Sequence, residues 1–417
     1  MLQTTPILPG ERAAILDILR GFALLGIFLA NSAVFSLYIM QKPDVIKGWP
    51  TAPVDEWLTW GHFVFIDGKF YSLFSLLFGI GFSIIFSRNK ARGNNGLTIF
   101  YRRLFVLLLF GTAHSLLLWD GDILMFYALT GMFLPLFRNA PDKTLVLLAG
   151  VLLLLPLLFD AVKVWTNGRW DLSRPFLKAA LARDQQTGIT EDNVGNWLIV
   201  HKDYRNILDW GRSGFWWVWQ MRISSNRPVK VLAMFLLGLY VGRSLIYARL
   251  EVYKPMLKRI QGFGLGLGIP AGLLHVWFEQ DGKQLPAAAG LWDTWFYALN
   301  VAPLALGYAA TIALWYVNGK YLRLLKPLCY MGRMALTNYI MQSVLGVFIY
   351  YGIGLGLGAR SGPLVFMPIA AGVFFLQMWI SRIWLRYFEY GPLEWIWRQL
   401  TYGKRLPFKA GKTGQDG

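Results

Sequence analysis

The chain of 417 residues is 55% hydrophobic and only 15% charged, and a soluble domain of this size would need far more charge to cover its surface. The net charge of +18 would indicate nucleic acid binding in a soluble protein. Here the cations fall in short connections between apolar stretches, as the positive-inside bias of membrane proteins predicts. A single cysteine excludes an intramolecular disulfide, and no clustered Cys/His spacing indicates a metal site. We expect a polytopic membrane protein without nucleic acid or a metal.

Ten apolar stretches are long enough to cross a membrane as helices, which predicts an all-α bundle of about ten transmembrane helices in a single membrane domain, 1–417. The predicted ranges are 15–40, 68–87, 103–119, 122–138, 143–163, 229–248, 259–278, 291–317, 327–351 and 363–387. Lys and Arg concentrate in the connections that follow even-numbered stretches, so we expect both termini in the cytoplasm of a bacterial inner membrane. A cleaved signal peptide over the first stretch is the alternative, and it would destroy the even count.

The connection 164–228 is the only long one, and it is predicted to face outward. It holds seven tryptophans among mixed Lys/Arg and Asp/Glu residues. Such a composition predicts amphipathic helices that rest on the outer leaflet, with a lid as one interpretation, rather than an independent domain.

Ionisable side chains inside apolar stretches are costly, so they mark candidate functional positions. His114 lies deep in the third predicted helix, and Asp122 opens the fourth after a turn of four residues, Trp119 to Asp122. The two side chains are therefore expected to lie close together. An imidazole held by a carboxylate has a fixed tautomer and a raised basicity, as a general base requires. A core histidine that is hydrogen-bonded to a neighbouring helix is the competing interpretation.

Two further polar residues are predicted in the same outer half of the membrane. Asn31 lies eleven residues beyond Arg20, which is about 16 Å along a helix, and Lys69 opens the second predicted helix from outside. Either side chain would be able to polarise a carbonyl or to stabilise a developing oxyanion. We expect His114, Asp122, Asn31 and Lys69 to form one site.

A basic ring is predicted at the cytoplasmic ends of the helices, formed by Arg20, Arg102, Arg103 and Arg333. Guanidinium groups suit the phosphates of a bound ligand, although contact with membrane phospholipids explains the same residues. Asp17 precedes Arg20 by three residues on the same helix face, so it is either an anchoring ion pair or part of this site.

The ninth predicted helix is unusually polar. Asn338 and Gln342 are four residues apart and share a face. They would either line the same cavity or form interhelical hydrogen bonds that lock the bundle.

Several motifs occur in the order found in YeiB-like bacterial inner-membrane proteins, which the chain resembles over nearly its whole length. They are Leu16-Asp17…Arg20-Gly21…Gly26 with Asn31, Gly68-Lys69-Phe70, Arg102-Arg103…Gly111…His114, Gly121-Asp122, and Gly332-Arg333…Asn338-Tyr339…Gln342-Ser343. The resemblance implies a relationship to the transmembrane acyltransferase superfamily, which includes the lysosomal heparan glucosaminide acetyltransferase and bacterial sugar O-acyltransferases. It implies transfer of an acyl group from cytoplasmic acyl-CoA, for example acetyl-CoA, to a periplasmic or lipid-linked acceptor.

The resemblance departs from both branches. The O-acyltransferases have a histidine at the outer end of the first helix, where this chain has Asn31, and the glucosaminide branch pairs an asparagine there with a histidine in the following loop, where this chain has Lys42. Two alternatives to an enzyme stay open. One is a transporter or flippase in which His114 and Asp122 couple proton movement to a small or lipid-like solute. The other is a protein that binds membrane lipids or stabilises the envelope without turnover. A homo-oligomer is compatible with each.

Overall fold

The computed structural model describes residues 13–91, 93, 95–280 and 285–409. Arg92, Lys283 and Lys412, which contribute to the predicted orientation, lie outside this range. The described chain is helical throughout, as predicted, and no strand forms in it. Its helices are α1 (Ala14–Phe35), α2 (Pro43–Lys47), α3 (Ala52–Phe65), α4 (Lys69–Ala91), α5 (Gly96–Leu117), α6 (Leu124–Gly131), α7 (Asp142–Trp165), α8 (Arg174–Thr187), α9 (Val194–Val200), α10 (Tyr204–Ser224), α11 (Arg227–Arg243), α12 (Lys254–Gln280), α13 (Gly290–Val317), α14 (Leu322–Arg333), α15 (Ala335–Tyr350), α16 (Pro363–Tyr387) and α17 (Pro392–Tyr402).

Seven segments of the described chain are long and apolar enough to cross a membrane. They are Ala14–Met40, Ala52–Ala91, Gly96–Leu117, Asp142–Trp165, Lys254–Phe278, Gly290–Val317 and Pro363–Tyr387. Two shorter apolar segments, Leu124–Phe137 and Ala335–Tyr350, accompany them. The chain is therefore a multi-pass helical membrane protein, and the count of ten remains a prediction.

Helix α1 is the centre of the bundle and packs on α14 through two glycines. A Cβ atom at Gly332 would lie 1.8 Å from the Asp17 carbonyl oxygen, and one at Gly21 would lie 2.1 Å from the Leu328 carbonyl oxygen. The two backbones are thus in direct contact, which only glycine permits at these positions. This contact fixes the basic end of α14 against the start of α1.

The predicted helix 327–351 is divided in two at Met334, where the backbone leaves helical geometry (φ −113°, ψ 36°). The freed amides of Leu336 and Thr337 donate to the buried carboxylate of Glu394, over 2.6 and 3.0 Å. Glu394 comes from α17, so a distant helix caps the start of α15. Apolar periodicity alone cannot reveal such a break, because the cap lies nearly 60 residues away in sequence.

The bundle has two ends, which we name by their residues. The basic side is the end at which Arg20, Arg103 and Arg333 border a common cavity. Ala13 and Tyr402 border that cavity as well, so the first described residue and the end of the last helix lie on one side. The opposite side carries α8, α9 and α10 from the long connection, and these helices form one wall of a second cavity.

Candidate functional site

Two cavities penetrate the bundle from its two ends. The opposite-side cavity has a volume of about 1050 Å³ and is bordered by Asn31, His62, Asp67, Arg222, Arg227 and Tyr339 among many apolar residues. The basic-side cavity has a volume of about 610 Å³ and is bordered by Asp17, Arg20, Arg103, Arg333, Glu394 and Arg398. Both volumes are adequate for an organic ligand, since ligand pockets typically measure about 300–1,000 Å³.

Three side chains border both cavities, namely Ile27, Ile123 and Tyr339. We call these three residues the septum. They belong to α1, to the residue before α6, and to α15. The two cavities therefore end on opposite faces of one thin partition inside the bundle.

His114 and Asp122 form a buried pair directly behind the septum. The His114 Nδ1 atom lies 2.9 Å from Asp122 Oδ1, and the two side chains are 1% and 0% exposed. The proximity predicted from the short turn is thus confirmed. The Tyr339 ring packs against the imidazole with 5.2 Å between ring centroids. His114 Nε2 is buried and has no hydrogen-bond partner among the described residues, so this nitrogen is the one left for chemistry.

The local sequence explains why this pair forms. Helix α5 begins after Asn95, whose side chain accepts the amides of Leu97 and Thr98, and places His114 about 27 Å along the helix. A Cβ atom at Gly111 would lie 2.2 Å from the backbone nitrogen of Met125, so α5 and α6 touch one turn before His114. The second Asp122 oxygen accepts the Met125 amide over 2.7 Å and is thereby fixed at the start of α6. The carboxylate is held on both of its oxygens.

Asn31 and Lys69 occupy different surroundings from each other. Asn31 borders the opposite-side cavity. The Lys69 side chain is fully buried and donates to the carbonyl of Phe63 at the turn between α3 and α4. His114, Asp122 and Lys69 border neither cavity, so the structure does not bring all four predicted residues into one cavity-lining site.

The basic-side cavity collects three of the four predicted arginines. Arg20 pairs with Asp17 over 2.5 Å, and Arg103 lies over the Trp397 ring at 3.7 Å. The Nε atom of Arg333 is buried without a partner in the described part of the chain. Arg102 instead is exposed on the surface and does not border the cavity.

Three more arginines border this cavity and were missed by sequence reasoning: Arg88, Arg243 and Arg398. The positive-inside bias hides them, because cations are expected at these helix ends whatever their role.

Asn338 and Gln342 are buried and border neither of the two cavities. The Asn338 amide donates to Ser381 over 3.0 Å, and Gln377 donates to the Asn338 carbonyl over 3.2 Å. Both contacts join α15 to α16, which agrees with the interhelical hydrogen-bond interpretation. Gln342 is 2% exposed, and its Nε2 atom lacks a partner among the described residues.

The opposite-side cavity contains two arginines that the sequence analysis did not single out. Arg222 is only 4% exposed, and its guanidinium donates to the backbone carbonyl of Asp122. Burial lowers the pKa of Arg222 to about 10, against the attraction of Asp122, so the group stays charged at neutral pH. Arg227 starts α11 and packs over the Tyr71 ring at 4.8 Å. In the sequence both resemble ordinary cations of a surface connection.

A second His–Asp pair lies away from the septum. His275 Nδ1 is 2.5 Å from Asp293 Oδ1, between α12 and α13, and neither residue borders the two cavities. Within the described residues, no group of three or more His, Cys, Asp or Glu side chains is arranged to hold a metal ion.

Comparison with known proteins places these features in a family. Residues 241–404 match the family described as "Protein of unknown function (DUF418)". The chain is 32% identical to the uncharacterized protein YxaH of Bacillus subtilis (strain 168), over 96% of this chain and 97% of YxaH. It is 30% identical to the uncharacterized protein YeiB of Escherichia coli (strain K12), over 94% of this chain and 96% of YeiB. The chain that contains the septum and the buried His–Asp pair therefore belongs to the YeiB-like family.

Proposed function

We propose that this chain is a membrane acyltransferase that moves an acyl group from acyl-CoA, bound on the basic side, to an acceptor in the opposite-side cavity. One observation carries the proposal: two cavities from opposite ends of the bundle meet at a septum of three side chains, with the buried His114–Asp122 pair directly behind it. A group transferred between these cavities would have to cross only that partition.

The membrane orientation belongs to the same proposal. We take the basic side as cytoplasmic because arginines and lysines concentrate there, and the membrane as the bacterial inner membrane. The seven long segments, the two shorter apolar ones and α11 together make ten spans. An even number agrees with Ala13 and Tyr402 lying on one side.

The basic-side cavity suits the donor. Acyl-CoA carries several phosphates at one end and a thioester at the end of a flexible arm. Arg20, Arg103 and Arg333 offer guanidinium groups for the phosphates, and the buried Nε of Arg333 still has a hydrogen bond to donate. The cavity ends at Tyr339, so a thioester arm that follows it reaches the septum.

The chemistry of the pair suits general base catalysis. Asp122 accepts a hydrogen bond from the Nδ1–H group of His114, which leaves Nε2 unprotonated and able to take a proton. The acceptor's hydroxyl or amine attacks the thioester carbonyl, a C–O or C–N bond forms, and the C–S bond breaks. The proton passes from the acceptor to His114 Nε2 and then to the departing thiolate, which leaves as free CoA thiol. Since Nε2 is buried behind Tyr339, this reaction requires the Tyr339 side chain to move.

Asn31 keeps its candidate role in polarising the carbonyl, because it borders the cavity of the acceptor. Lys69 instead stabilises the turn between α3 and α4 by donating to the Phe63 carbonyl. Arg102 is not part of the proposed donor site, because it is exposed on the surface.

The test is release of CoA thiol by the purified protein. Acetyl-CoA and a membrane lipid extract as the source of acceptor should yield free thiol, and His114→Ala should abolish it while the protein keeps its melting profile. His275→Ala removes a comparable buried histidine away from the septum, and the folded fraction of this variant should release thiol at the wild-type rate. Thiol release that survives His114→Ala would remove the proposed base. Failure of acetyl-CoA to raise the melting temperature would argue against donor binding.

A proton-coupled transporter or flippase is the second candidate, since a thin barrier between two cavities and a buried ionisable pair also fit that class. It predicts pH-dependent movement of a solute across proteoliposomes without thiol release. Such movement, lost in His114→Ala, would favour transport over acyl transfer.

A further inference from the structure

The opposite-side cavity opens to the surface through a mixed border. Ile39, Leu181 and Met221 border it and are 58%, 53% and 48% exposed, while the polar side chains of Gln185 and Glu191 are also exposed there. Large exposed apolar side chains at the mouth of a cavity suit acyl chains, and the polar ones suit a solvated segment. The mouth therefore fits an amphiphile better than a free sugar.

Two arginines border this cavity, in a lining that also includes the acids Asp67, Asp120, Asp184 and Glu191. Arg222 and Arg227 both border it and are only five residues apart, at the junction of α10 and α11. The Arg227 Nε atom is buried and has no hydrogen-bond partner in the described chain. The charge of Arg227 acts against that of Arg222, and the start of α11 adds the positive end of a helix dipole. A bound anion would accept a hydrogen bond from the Arg227 Nε atom, reduce the repulsion between the two arginines and interact favourably with the helix dipole.

The acidic residues that border the cavity are already engaged or exposed. The two oxygens of Asp184 accept from the Ser213 hydroxyl and the Trp217 indole. Asp67 interacts most strongly with Lys69 among the charged groups around it, and Glu191 lies exposed at the mouth.

Asp120 is the remaining acid of this cavity. Burial raises its pKa to about 6, against hydrogen bonds from the amides of Asp120 and Gly121. Asp67 attracts Arg227 electrostatically, but the Arg227 Nε atom has no hydrogen-bond partner among the described residues. The four acids therefore leave one buried donor of this arginine unsatisfied.

We propose that the opposite-side cavity binds a membrane amphiphile with a phosphate head group, held by Arg227 and Arg222, with its apolar chains along the mouth. Phosphate matches two adjacent guanidinium groups because it offers several oxygens to their paired donors. Arg222 also donates to the backbone of Asp122, so the head group would lie beside the His–Asp pair. The claim that this amphiphile is the acyl acceptor rests on the proposed function. The claim that it binds in this cavity is independent of the proposed function.

The test compares three probes on the purified full-length protein by native mass spectrometry and by shifts in melting temperature. Dioctanoyl phosphatidic acid carries both features, dioctanoyl glycerol has the same chains without the charge, and inorganic phosphate has the charge without the chains. We expect the phosphatidate to bind about ten- to a hundredfold more tightly than the glycerol, as charge-assisted hydrogen bonds imply. Equal affinity of the two lipids would overturn the proposal, and so would inorganic phosphate that binds as tightly as the phosphatidate.

A matched pair of variants locates the site. Arg227→Gln should lower phosphatidate affinity to that of dioctanoyl glycerol and leave the glycerol unaffected. Arg212→Gln changes an exposed arginine of α10, whose partner is Asp209, and should change neither. Unchanged phosphatidate binding in a folded Arg227→Gln protein would refute the assignment, and the wild-type comparison decides the question even where that variant does not fold.

These binding assays contain no CoA, so the two proposals fail separately. Phosphatidate binding without thiol release would leave the ligand and remove the acyltransferase. Thiol release together with equal affinities for the two lipids would support the acyltransferase and refute the phosphate-bearing ligand.

Discussion

Asp122→Asn is the substitution that tests the proposed chemistry most directly, because it keeps the shape of the side chain and reverses one hydrogen bond. The Asp122 carboxylate accepts from His114 Nδ1 over 2.9 Å and from the Met125 amide over 2.7 Å. In the variant, the side-chain oxygen still accepts from Met125, and the new NH₂ group faces His114. The imidazole must then accept at Nδ1 and carry its proton on Nε2, where it cannot act as a base.

The structure sets different magnitudes for folding and for rate. A neutral hydrogen bond replaces a charge-assisted one, so we expect a loss of stability of about 1 kcal/mol and a melting temperature lower by a few degrees. Thiol release should fall by about 10²–10⁴, the contribution of a general base. Asp122→Ala should instead cost about 2–6 kcal/mol, because it leaves two buried donors without an acceptor, at about 1–3 kcal/mol each.

The assay measures thiol release and thermal unfolding on the same preparation in one detergent. Asp293→Asn is the matched control, since it makes the same exchange in the His275–Asp293 pair, whose imidazole packs against Tyr297 instead of the septum residue Tyr339. It should retain the wild-type rate. A wild-type rate in Asp122→Asn, or an equal loss in Asp293→Asn, would refute the role of the septum pair.

Three further predictions concern packing, pH and the donor site. Gly332→Ala should destabilise the protein by about 1–3 kcal/mol in thermal melts, because its Cβ would meet a carbonyl oxygen of α1 at 1.8 Å, whereas Gly262→Ala meets nothing within 4 Å and should not. Burial raises the pKa of Asp120 to about 6 from the ordinary 3.8, so the folded protein holds this proton more tightly than the unfolded chain does. The free energy of unfolding of the wild type should therefore fall by roughly 3 kcal/mol as the pH rises from about 4 to 6, and Asp120→Asn should lack this fall. Parallel pH profiles of the two proteins would contradict the prediction. Arg103→Gln should raise the KM for acyl-CoA about tenfold with little change in kcat, while Arg102→Gln, at the neighbouring surface position, should raise neither; equal effects would contradict the cavity assignment.

The class of protein and the His114–Asp122 contact were predictable from sequence for a common reason, namely that both depend on local order. Apolar stretches report membrane helices directly, and a turn of four residues forces its flanking side chains together. Arg20, Arg103 and Arg333 were predictable to the extent that helix direction alternates, which puts every second helix end on one side.

Features that depend on tertiary packing were not predictable. The cap from Glu394 onto α15 joins residues nearly 60 apart, so the break at Met334 has no local signal. Arg222 is a solvated cation of an amphipathic helix by sequence, yet α10 folds back and buries it against Asp122. Arg102 and Arg103 are neighbours in sequence, and only the rotation of α5 decides which of them reaches the cavity.

The septum also weighs on the choice between transfer and transport. A transporter that works by alternating access opens one cavity while the other closes around the solute, so deep cavities on both sides need not coexist. Here cavities of about 1050 and 610 Å³ are present together in one conformation, divided by Ile27, Ile123 and Tyr339. Passage of a whole solute would require the helices to part, whereas the proposed passage of an acyl group would require a rotation of Tyr339 that breaks the hydrogen bond its hydroxyl accepts from the Ile123 amide. Because Tyr339 also packs against the imidazole of His114, a rotation of this side chain would open the partition and expose the proposed base together, which is the coupling that the proposed acyl transfer requires.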